Sequence, residues 1–311
     1  MNSIRRVNMD LQITTLTASS AHLELVIELG RTYYPSGHLL LKKEYLKWLY
    51  LDNPAGPATL VVAHEAEIWI GIMVLIPVIL ESSERLQRAC YAVNVLTHPE
   101  HRGKNLFIKM IAKARDVLSS QGIWLLGHPN VNACPGWRRQ KMMFRDPLQV
   151  YAAKFKWPFF GLRERRIFSL LELASLPATF WKTLTERKDV HVCYTPEFLA
   201  WRFLNVPGKS YKVVALEQGG EVFGLRITRG FKGPVDLLID FIGPTSVCDE
   251  LLLCVRRPTL VLHSGLGSGA SVVARACWKL PVKRRFPFFV TTWTFTGPAD
   301  MTGISLSASD F

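Results

Sequence analysis

The sequence predicts a mixed α/β protein made of two like domains in tandem. Its 311 residues, 49% of them hydrophobic, leave room for two domains with buried cores. Runs rich in β-branched residues alternate with segments of helical periodicity, which is typical of mixed sheets flanked by helices. In addition, residues 43–71 align without a gap on residues 196–224.

The elements of the first half follow from local patterns. In chain order they are a strand at 12–16, a helix at 20–31 that ends at Gly30, a helix from about residue 43 that Pro54 and Gly56 stop, two strands within 58–80 joined by a tight turn at 64–67, and a strand at 87–99.

The pattern changes period after residue 105. Apolar residues then fall on one helical stripe, at Leu106, Phe107, Met110, Ile111, Ala114, Val117 and Leu118. Gly122 ends this helix, and the segment "IWLLGH" at 123–128 returns as a strand. The first half therefore has the size and element order of one α/β domain.

The second half repeats part of the first at a constant offset. Seven of the 29 aligned positions in 43–71 and 196–224 are identical, where roughly two would be expected from ordinary residue usage. We therefore predict a first domain at 1–155 and a degenerate second domain at 156–311. Its strand at 235–243 should lead into a helix at 244–255, with Gly243 and Pro244 between them. Repeated aromatic residues at helical spacing favour a core role for Tyr45, Tyr50, Trp48 and Trp201.

Composition narrows the class of protein. The net charge of +13 attracts anionic partners, but the clusters "WRRQK" at 137–141 and "KRR" at 283–285 fit no nucleic-acid motif, so we expect no specific nucleic-acid binding. The six cysteines form neither a CxxC pair nor a Cys/His cluster, so we expect no metal and reduced thiols in a cytoplasmic protein. The longest apolar run, Ile68–Leu80, is shorter than the roughly 20 residues of a transmembrane helix, and the N-terminus lacks the features of a signal peptide.

One short segment combines a glycine with basic residues between a strand and a helix. In "HPEHRGKN", Gly103 lets the backbone approach an anion closely, Arg102 and Lys104 add positive charge, and Asn105 tolerates a left-handed conformation. The first turn of the helix from Leu106 has unbonded N–H groups and the positive end of the dipole, which together bind phosphate. The spacing alone leaves open a polar turn that only caps the helix.

The segment at 93–130, "VNVLTHPEHRGKNLFIKMIAKARDVLSSQGIWLLGHPN", resembles the signature region of the GNAT acyltransferase superfamily. That family has the loop pattern Q/R-x-x-G-x-G/A, on which Glu100, Gly103 and Asn105 take the three defining positions. The segment "EYLKWLYLDNPAG" and the ending "TWTFTGPAD" are similar to tandem members of the family. The resemblance implies two tandem GNAT-like domains, each a mixed, splayed β-sheet flanked by helices.

The resemblance also implies a cofactor, acetyl-CoA or another acyl-CoA, and the residues that hold it. Backbone amides of Arg102, Gly103, Lys104, Asn105 and Leu106 would bind the pyrophosphate. Val95, Leu96 and Thr97 would pair with the pantetheine arm in a wedge beside the strand "IWLLGH". The segment "NACPGWRRQKMMF" would be the following helix, beside the thiol end.

Transfer of an acyl group to an amine needs a base for the amine and an acid for the thiolate. His128 is a base, a substrate ligand or a structural histidine, and Asn130 donates to an oxyanion or holds a β-bulge. Tyr151 is a general acid or a core residue, and Asp240 is buried with a partner or faces the interdomain cleft.

The acceptor would lie near Glu81 and near Tyr33 and Tyr34, which stand in an early loop. The alternative for this loop is a plain surface turn. The position of His98 beside Pro99 indicates a capping or packing role. These features predict an N-acyltransferase for a small-molecule primary amine such as that of an amino-sugar nucleotide. The alternative is a non-catalytic binding module for an acyl carrier, a peptide or a protein partner.

Overall fold

A computed structural model describes residues 10–82, 85–153, 162–186, 190–243, 258–263, 277–280 and 286–291. Four features predicted from the sequence lie partly or wholly outside these ranges. They are the domain boundary at 155, the helix at 244–255, the basic cluster at 283–285 and the ending at 292–300.

The first half has the predicted element order. Its elements are β1 (Leu11–Thr17), α1 (His22–Arg31), α2 (Lys43–Tyr50), β2 (Thr59–Glu65), β3 (Ile68–Ser82), β4 (Arg85–Thr97), α3 (Leu106–Ser120), β5 (Trp124–Gly127), α4 (Cys134–Arg139) and β6 (Phe144–Ala153). The apolar run at 68–80 is part of β3, as its β-branched residues predict. The helix expected over 132–144 is shorter than that segment, because Lys141 adopts a φ of 59° and the chain then enters β6.

In its described residues, the second half has more strands and shorter helices than the first. Its elements are β7 (Leu162–Ile167), α5 (Leu170–Ala174), α6 (Ala178–Thr185), β8 (His191–Val192), α7 (Pro196–Leu199) with a π-helical extension at Ala200–Leu204, β9 (Lys212–Gln218), β10 (Glu221–Lys232), β11 (Val235–Ile242), β12 (Thr259–His263), β13 (Cys277–Lys279) and β14 (Phe286–Thr291).

The described strands form two mixed sheets that meet at β6. Strand order runs β1-β2-β3-β4-β5-β14-β6 and continues β6-β12-β11-β10-β9-β7. Strand β14, the last of the described strands in chain order, inserts antiparallel between β5 and β6. The pairs β4–β5 and β11–β12 are parallel, and the other described ladders are antiparallel.

The two similar segments adopt the same local structure at the same offset. Strands β2 and β3 begin at residues 59 and 68, and β9 and β10 begin at 212 and 221. The register irregularity is shared as well. Gly71 pairs with Ala63 before the shift, and Gly224 pairs with Leu216 at the equivalent point. The similarity in sequence therefore corresponds to a similarity in backbone pairing.

Two apolar clusters surround the first sheet. One contains α1 and α2, one sheet face and a large part of the second half, so that a continuous core joins the two halves. The other lies between the opposite sheet face and helices α3 and α4. Within the described residues, no helix has the length and hydropathy needed to span a bilayer. The predicted mixed α/β fold with two flanked sheets is confirmed.

Candidate functional site

The first sheet opens between β4 and β5. These strands pair only over Ala89–Trp124, Cys90–Leu125 and Tyr91–Leu126, after which they diverge. A cavity of about 670 Å³ occupies the resulting wedge. Its described lining comes from β4, the end of β5, the start of the α4 region and the loop after α1. The volume lies in the range that small-molecule and cofactor sites occupy.

The wall formed by β4 is the edge of a strand. All seven consecutive residues from Tyr91 to Thr97 line the cavity, whereas a strand that presented one face would contribute only every second residue. Asn94 and Val95 together lie opposite Met73, because the register shifts between Val74–Val93 and Ile72–Leu96. This β-bulge places Asn94 at a φ of 49° and disrupts the ladder at the cavity wall.

The basic segment at the end of β4 forms a sharp elbow. A single 3₁₀ turn at Pro99–His101 precedes it, Gly103 has a φ of 84°, and Asn105 stands before α3 with φ 58° and ψ 23°. A Cβ atom added to Gly103 would meet nothing within 4 Å, so the glycine is needed for backbone conformation rather than for space.

The elbow leaves several backbone donors available. The first helical hydrogen bond of α3 runs from Lys109 N–H to the Asn105 carbonyl at 3.0 Å. Among the described residues, no backbone or side-chain acceptor receives the N–H groups of residues 103–106. The N–H of Arg102 differs, since it donates to the Pro99 carbonyl at 3.3 Å. Of the predicted donors Arg102 to Leu106, Gly103 to Leu106 are therefore available.

A second hollow of about 370 Å³ lies directly over the elbow and shares Thr97, Arg102 and Phe107 with the wedge. Helix α4 closes its far side with Pro135, Gly136 and Arg139. The close approach of α4 depends on Gly136, because a Cβ atom there would lie 2.8 Å from Phe107 Cδ1. The exposed Arg139 therefore faces the same hollow as the elbow amides.

These groups fit a diphosphate attached to a long, flexible arm. Unbonded N–H groups at the start of a 15-residue helix bind an anion, and Arg102 and Arg139 provide charge around the same hollow. The strand edge beside the wedge offers backbone groups to an extended ligand. Lys104 is less directly involved, since its Nζ contacts His101 Nδ1 at 3.2 Å and Glu65 Oε1 at 3.5 Å.

Most of the predicted site residues line the two hollows. Tyr33 and Tyr34 reach the wedge from the loop after α1, and the Arg102 guanidinium lies 5.9 Å from the ring centroid of Tyr33. His128 follows directly after β5 and is half-buried in the lining. The predicted residues present in one lining or the other are Tyr33, Tyr34, Val95, Leu96, Thr97, Arg102, Gly103, Asn105, Leu106, His128 and Asn130.

Two of the polar candidates have local structural contacts. The Asn130 Oδ1 accepts the N–H of Ala133 at 2.9 Å, and its carbonyl accepts the N–H of Cys134 at 3.2 Å, so Asn130 stabilises the start of α4. Asn130 lies between β5 and α4, outside the described strands, so it does not hold a β-bulge. His98 Nδ1 accepts the Glu100 N–H, which agrees with its predicted capping role.

Three other candidates lie outside the described lining of both hollows. Tyr151 is buried on β6, which β14 separates from β5. Asp240 is buried with a partner, since its Oδ2 accepts the Tyr194 hydroxyl at 2.7 Å and its Oδ1 accepts the Phe241 N–H. Glu81 lies 3.9 Å from His191 Nε2 at the junction of the two halves. A direct role for these three in chemistry stays a prediction.

Sequence reasoning missed Asn94, Tyr50 as its partner, and Arg139. Asn94 stands in a run of strand-forming residues, and an asparagine within such a run is the one signal of the bulge. Tyr50 was assigned to the core, and it is indeed fully buried, but its hydroxyl accepts a hydrogen bond from Asn94 Nδ2 at 2.8 Å.

The sequence matches no protein-family model, and no curated protein is significantly similar to it. Solved structures are similar in fold. A GCN5-related N-acetyltransferase from Anabaena variabilis has a TM-score of 0.65 at 11% identity, over 91% of this chain and 73% of that one. A probable N-acyltransferase from Enterococcus faecalis has a TM-score of 0.65 at 11% identity, over 91% and 72%.

A third similar structure contains a bound acyl-CoA. Saccharomyces cerevisiae N-myristoyltransferase with bound myristoyl-CoA has a TM-score of 0.55 at 11% identity, over 98% of this chain and 86% of that one. The likeness extends over both halves of the chain. The chain therefore has the GNAT fold that GCN5-related N-acetyltransferases and N-myristoyltransferases share.

Proposed function

We propose that this chain is an acyl-CoA-dependent N-acyltransferase that transfers an acetyl or short acyl group to a primary amine. The observation that carries the proposal is the joint presence of the open wedge and the elbow. Unbonded amides of residues 103–106 lie at one end of a strand edge that is exposed to a cavity of about 670 Å³. A ligand with a diphosphate at one end and an extended arm matches this arrangement.

Different residues would bind different parts of the cofactor. The amides of Gly103 to Leu106 would hold the diphosphate, with Arg102 and Arg139 as charged neighbours. The β4 edge at Val95 and Thr97 would pair with the pantetheine arm. When bound, acyl-CoA would supply the activated thioester, so the protein needs only to orient the amine and to move protons.

The chemistry requires a group that accepts the amine proton while the new C–N bond forms. His128 is the proposed base, because it lines the wedge directly after β5 and imidazole accepts a proton readily near neutral pH. The proton then has to reach the departing sulfur as the C–S bond breaks. Asn130 Nδ2 and the backbone at the β4 bulge are the proposed donors to the carbonyl oxygen.

An anionic small molecule is the proposed acceptor, as an amino-sugar nucleotide would be. None of the described residues that line the wedge is a carboxylate, and the permanently charged side chain among them, Arg102, is already assigned to the diphosphate. Such a lining, in a protein of net charge +13, favours a negatively charged ligand over a cationic one. The degenerate second half would shape the acceptor side of the site.

The test is release of free thiol from acetyl-CoA in the presence of a panel of amines. The panel pairs anionic amino-sugar nucleotides with neutral amino sugars, and its controls omit the amine. We expect thiol release that depends on an anionic amine and is lost in His128→Gln. Binding of acetyl-CoA without turnover on any amine would contradict the proposal and favour a non-catalytic binding module.

A further inference from the structure

A partly buried hydrogen bond joins the wall of the wedge to helix α2. Asn94 Nδ2 donates to Tyr50 Oη at 2.8 Å. Tyr50 is 0% exposed, and burial raises the pKa of its hydroxyl, so the phenol remains neutral. Asn94 is half-buried and lines the wedge. A side chain at the cavity wall is therefore hydrogen-bonded to a phenol in the buried core.

This hydrogen bond lies at an irregularity in the backbone of β4. Asn94 has a φ of 49° in the middle of a strand, and it lies in the β-bulge opposite Met73. A left-handed conformation is uncommon for residues other than glycine; asparagine tolerates it best, and contacts with its surroundings stabilise it further. The bond from Asn94 to Tyr50 provides that stabilisation from a side chain that cannot move easily.

The bulge lies midway along the open edge of β4 that the proposed cofactor path follows. The elbow amides begin at Gly103, and the β4 edge runs from Thr97 back to Tyr91, where pairing with β5 resumes. At about 3.3 Å per residue, Asn94 lies roughly 10 Å along the strand from Thr97. The acyl end of the cofactor, which is the end away from the diphosphate, would reach this part of the wedge.

Tyr34 adds a third polar side chain at the same place. It lines the wedge, and it also borders a small void of about 10 Å³ together with Tyr50 and Asn94. Burial raises the pKa of Tyr34 to about 12. Three side chains from the loop after α1, from α2 and from β4 thus meet behind the bulge.

The second half of the chain lacks a hydroxyl at the position equivalent to Tyr50. The position equivalent to Tyr50 is Phe203, which has no hydroxyl and packs edge-on against Tyr211 with ring centroids 5.5 Å apart. The buried hydroxyl therefore occurs in the half that has the glycine elbow. Packing of α2 alone does not require it, since a phenylalanine fills the equivalent position.

We infer that Tyr50 and Asn94 form a positioning pair that holds the bulged part of β4 in the conformation that receives the acyl end of acyl-CoA. Tyr50 acts through Asn94 and is a positioning residue. The inference rests on the proposed function, because it assigns a purpose to one wall of the same wedge.

The experiment compares binding of two probes, acetyl-CoA and free CoA, by isothermal titration calorimetry. Free CoA lacks the thioester carbonyl, so loss of the pair should affect acetyl-CoA selectively. We expect Tyr50→Phe to raise the dissociation constant of acetyl-CoA about fivefold more than that of CoA. This difference corresponds to the loss of one hydrogen bond. Asn94→Gly should have the same effect, because glycine tolerates the positive φ. The double variant should lose no more affinity for acetyl-CoA than either single variant.

Tyr45→Phe is the matched control. Tyr45 is also a buried tyrosine of α2, its equivalent in the second half is also a phenylalanine, Phe198, and it is not among the described residues that line the wedge. This variant should leave the ratio of the two dissociation constants unchanged. Tyr50→Phe could instead weaken the binding of both probes equally and lower the unfolding midpoint. That result would show that the pair is only a structural contact and would overturn the inference. If the wild-type protein bound neither probe, the proposed function would fail first.

Discussion

Trp48 and Trp201 exchange identical hydrogen bonds across the junction of the two halves. The indole Nε1–H of Trp48 donates to the Trp201 carbonyl at 2.8 Å, and that of Trp201 donates to the Trp48 carbonyl at 2.9 Å. Their rings stack with centroids 5.2 Å apart. A reciprocal contact of this kind is characteristic of two equivalent surfaces related by a twofold rotation. Two residues 153 positions apart thus link the halves.

This reciprocity predicts that substitution of either tryptophan lowers the free energy of unfolding by the same amount. Trp48→Phe and Trp201→Phe each remove one indole donor and leave a buried carbonyl without its partner, which should lower the free energy of unfolding by about 2 kcal/mol. The two values should agree within about 0.5 kcal/mol, and the double variant should be non-additive because the residues are in contact. Urea denaturation checks this, with the half-buried Trp181→Phe as a control that should cost less. A large difference between the two single variants would contradict the reciprocal contact.

The protein should lose stability at alkaline pH. Burial raises the pKa of Cys90 to about 12 from 9.0, and burial with the nearby Glu81 raises the pKa of Cys193 to about 12. Above pH 9 the unfolded chain releases these protons while the folded chain keeps them. The contribution is complete below pH 9 and is lost as the pH rises toward 12.

For the buried Cys90, the free energy of unfolding should fall by at most about 1.4 kcal/mol per pH unit in this window. The half-exposed Cys193 should contribute less, since solvent screens it. Urea midpoints at about pH 8, 9 and 10 measure the slope, and Cys90→Ala should flatten it. An unchanged slope in this variant would show that other groups cause the alkaline loss.

Asn130 should matter first for the turn that leads into α4, because its Oδ1 accepts the Ala133 N–H. Asn130→Ala removes the acceptor for the Ala133 N–H and should lower the free energy of unfolding by about 1 kcal/mol. Asn130→Asp keeps an acceptor oxygen and should be close to wild type in stability. Because the aspartate lacks the amide donor, acyl transfer by this variant separates the two roles. Normal turnover in Asn130→Asp would remove the amide from the proposed chemistry.

Gly136 should be essential for the packing of α4 on α3. Alanine is favoured over glycine within a helix by about 1 kcal/mol, but the added Cβ would overlap the Phe107 ring and approach Ile108 Cδ1 to 3.2 Å. Overpacking of this kind costs about 1–3 kcal/mol, so we expect Gly136→Ala to destabilise the protein and to weaken acyl-CoA binding at the adjoining hollow.

Gly30→Ala provides the matched helical control. A Cβ atom there would contact Leu41 Cδ2 at 3.0 Å, and the tip of a leucine side chain can move. Thermal unfolding of both variants should therefore show a lower midpoint for Gly136→Ala alone. Equal midpoints would mean that α4 adjusts its position at little cost.

The sequence was most informative where structure is local or repeated. The alignment of 43–71 on 196–224 predicted a helix, a stop and two strands in each half, and the structure has strand starts at the same offset. The elbow was predicted from the chemistry of Gly103 and its basic neighbours, and the residue has the positive φ that this role needs.

Non-local features could not be predicted in this way. Strand alternation does not say which face or edge lines a cavity, so Tyr151 and Asp240 were assigned to a site whose described lining excludes them. The insertion of β14 between β5 and β6 joins parts of the chain that are distant in sequence. The bulge at Asn94 depends on a partner 44 positions away, Tyr50.

Binding of acetyl-CoA to wild type, Gly103→Glu and Gly122→Glu tests the central claim most directly. Both glycines have positive φ values, 84° and 65°, and both have open space at the Cβ position, but they lie at opposite ends of α3. The account predicts about 100-fold weaker binding for Gly103→Glu, because the carboxylate would repel a diphosphate held by the elbow amides. Gly122→Glu should bind like wild type. Equal affinity of wild type and Gly103→Glu would contradict the claim that this elbow holds the cofactor.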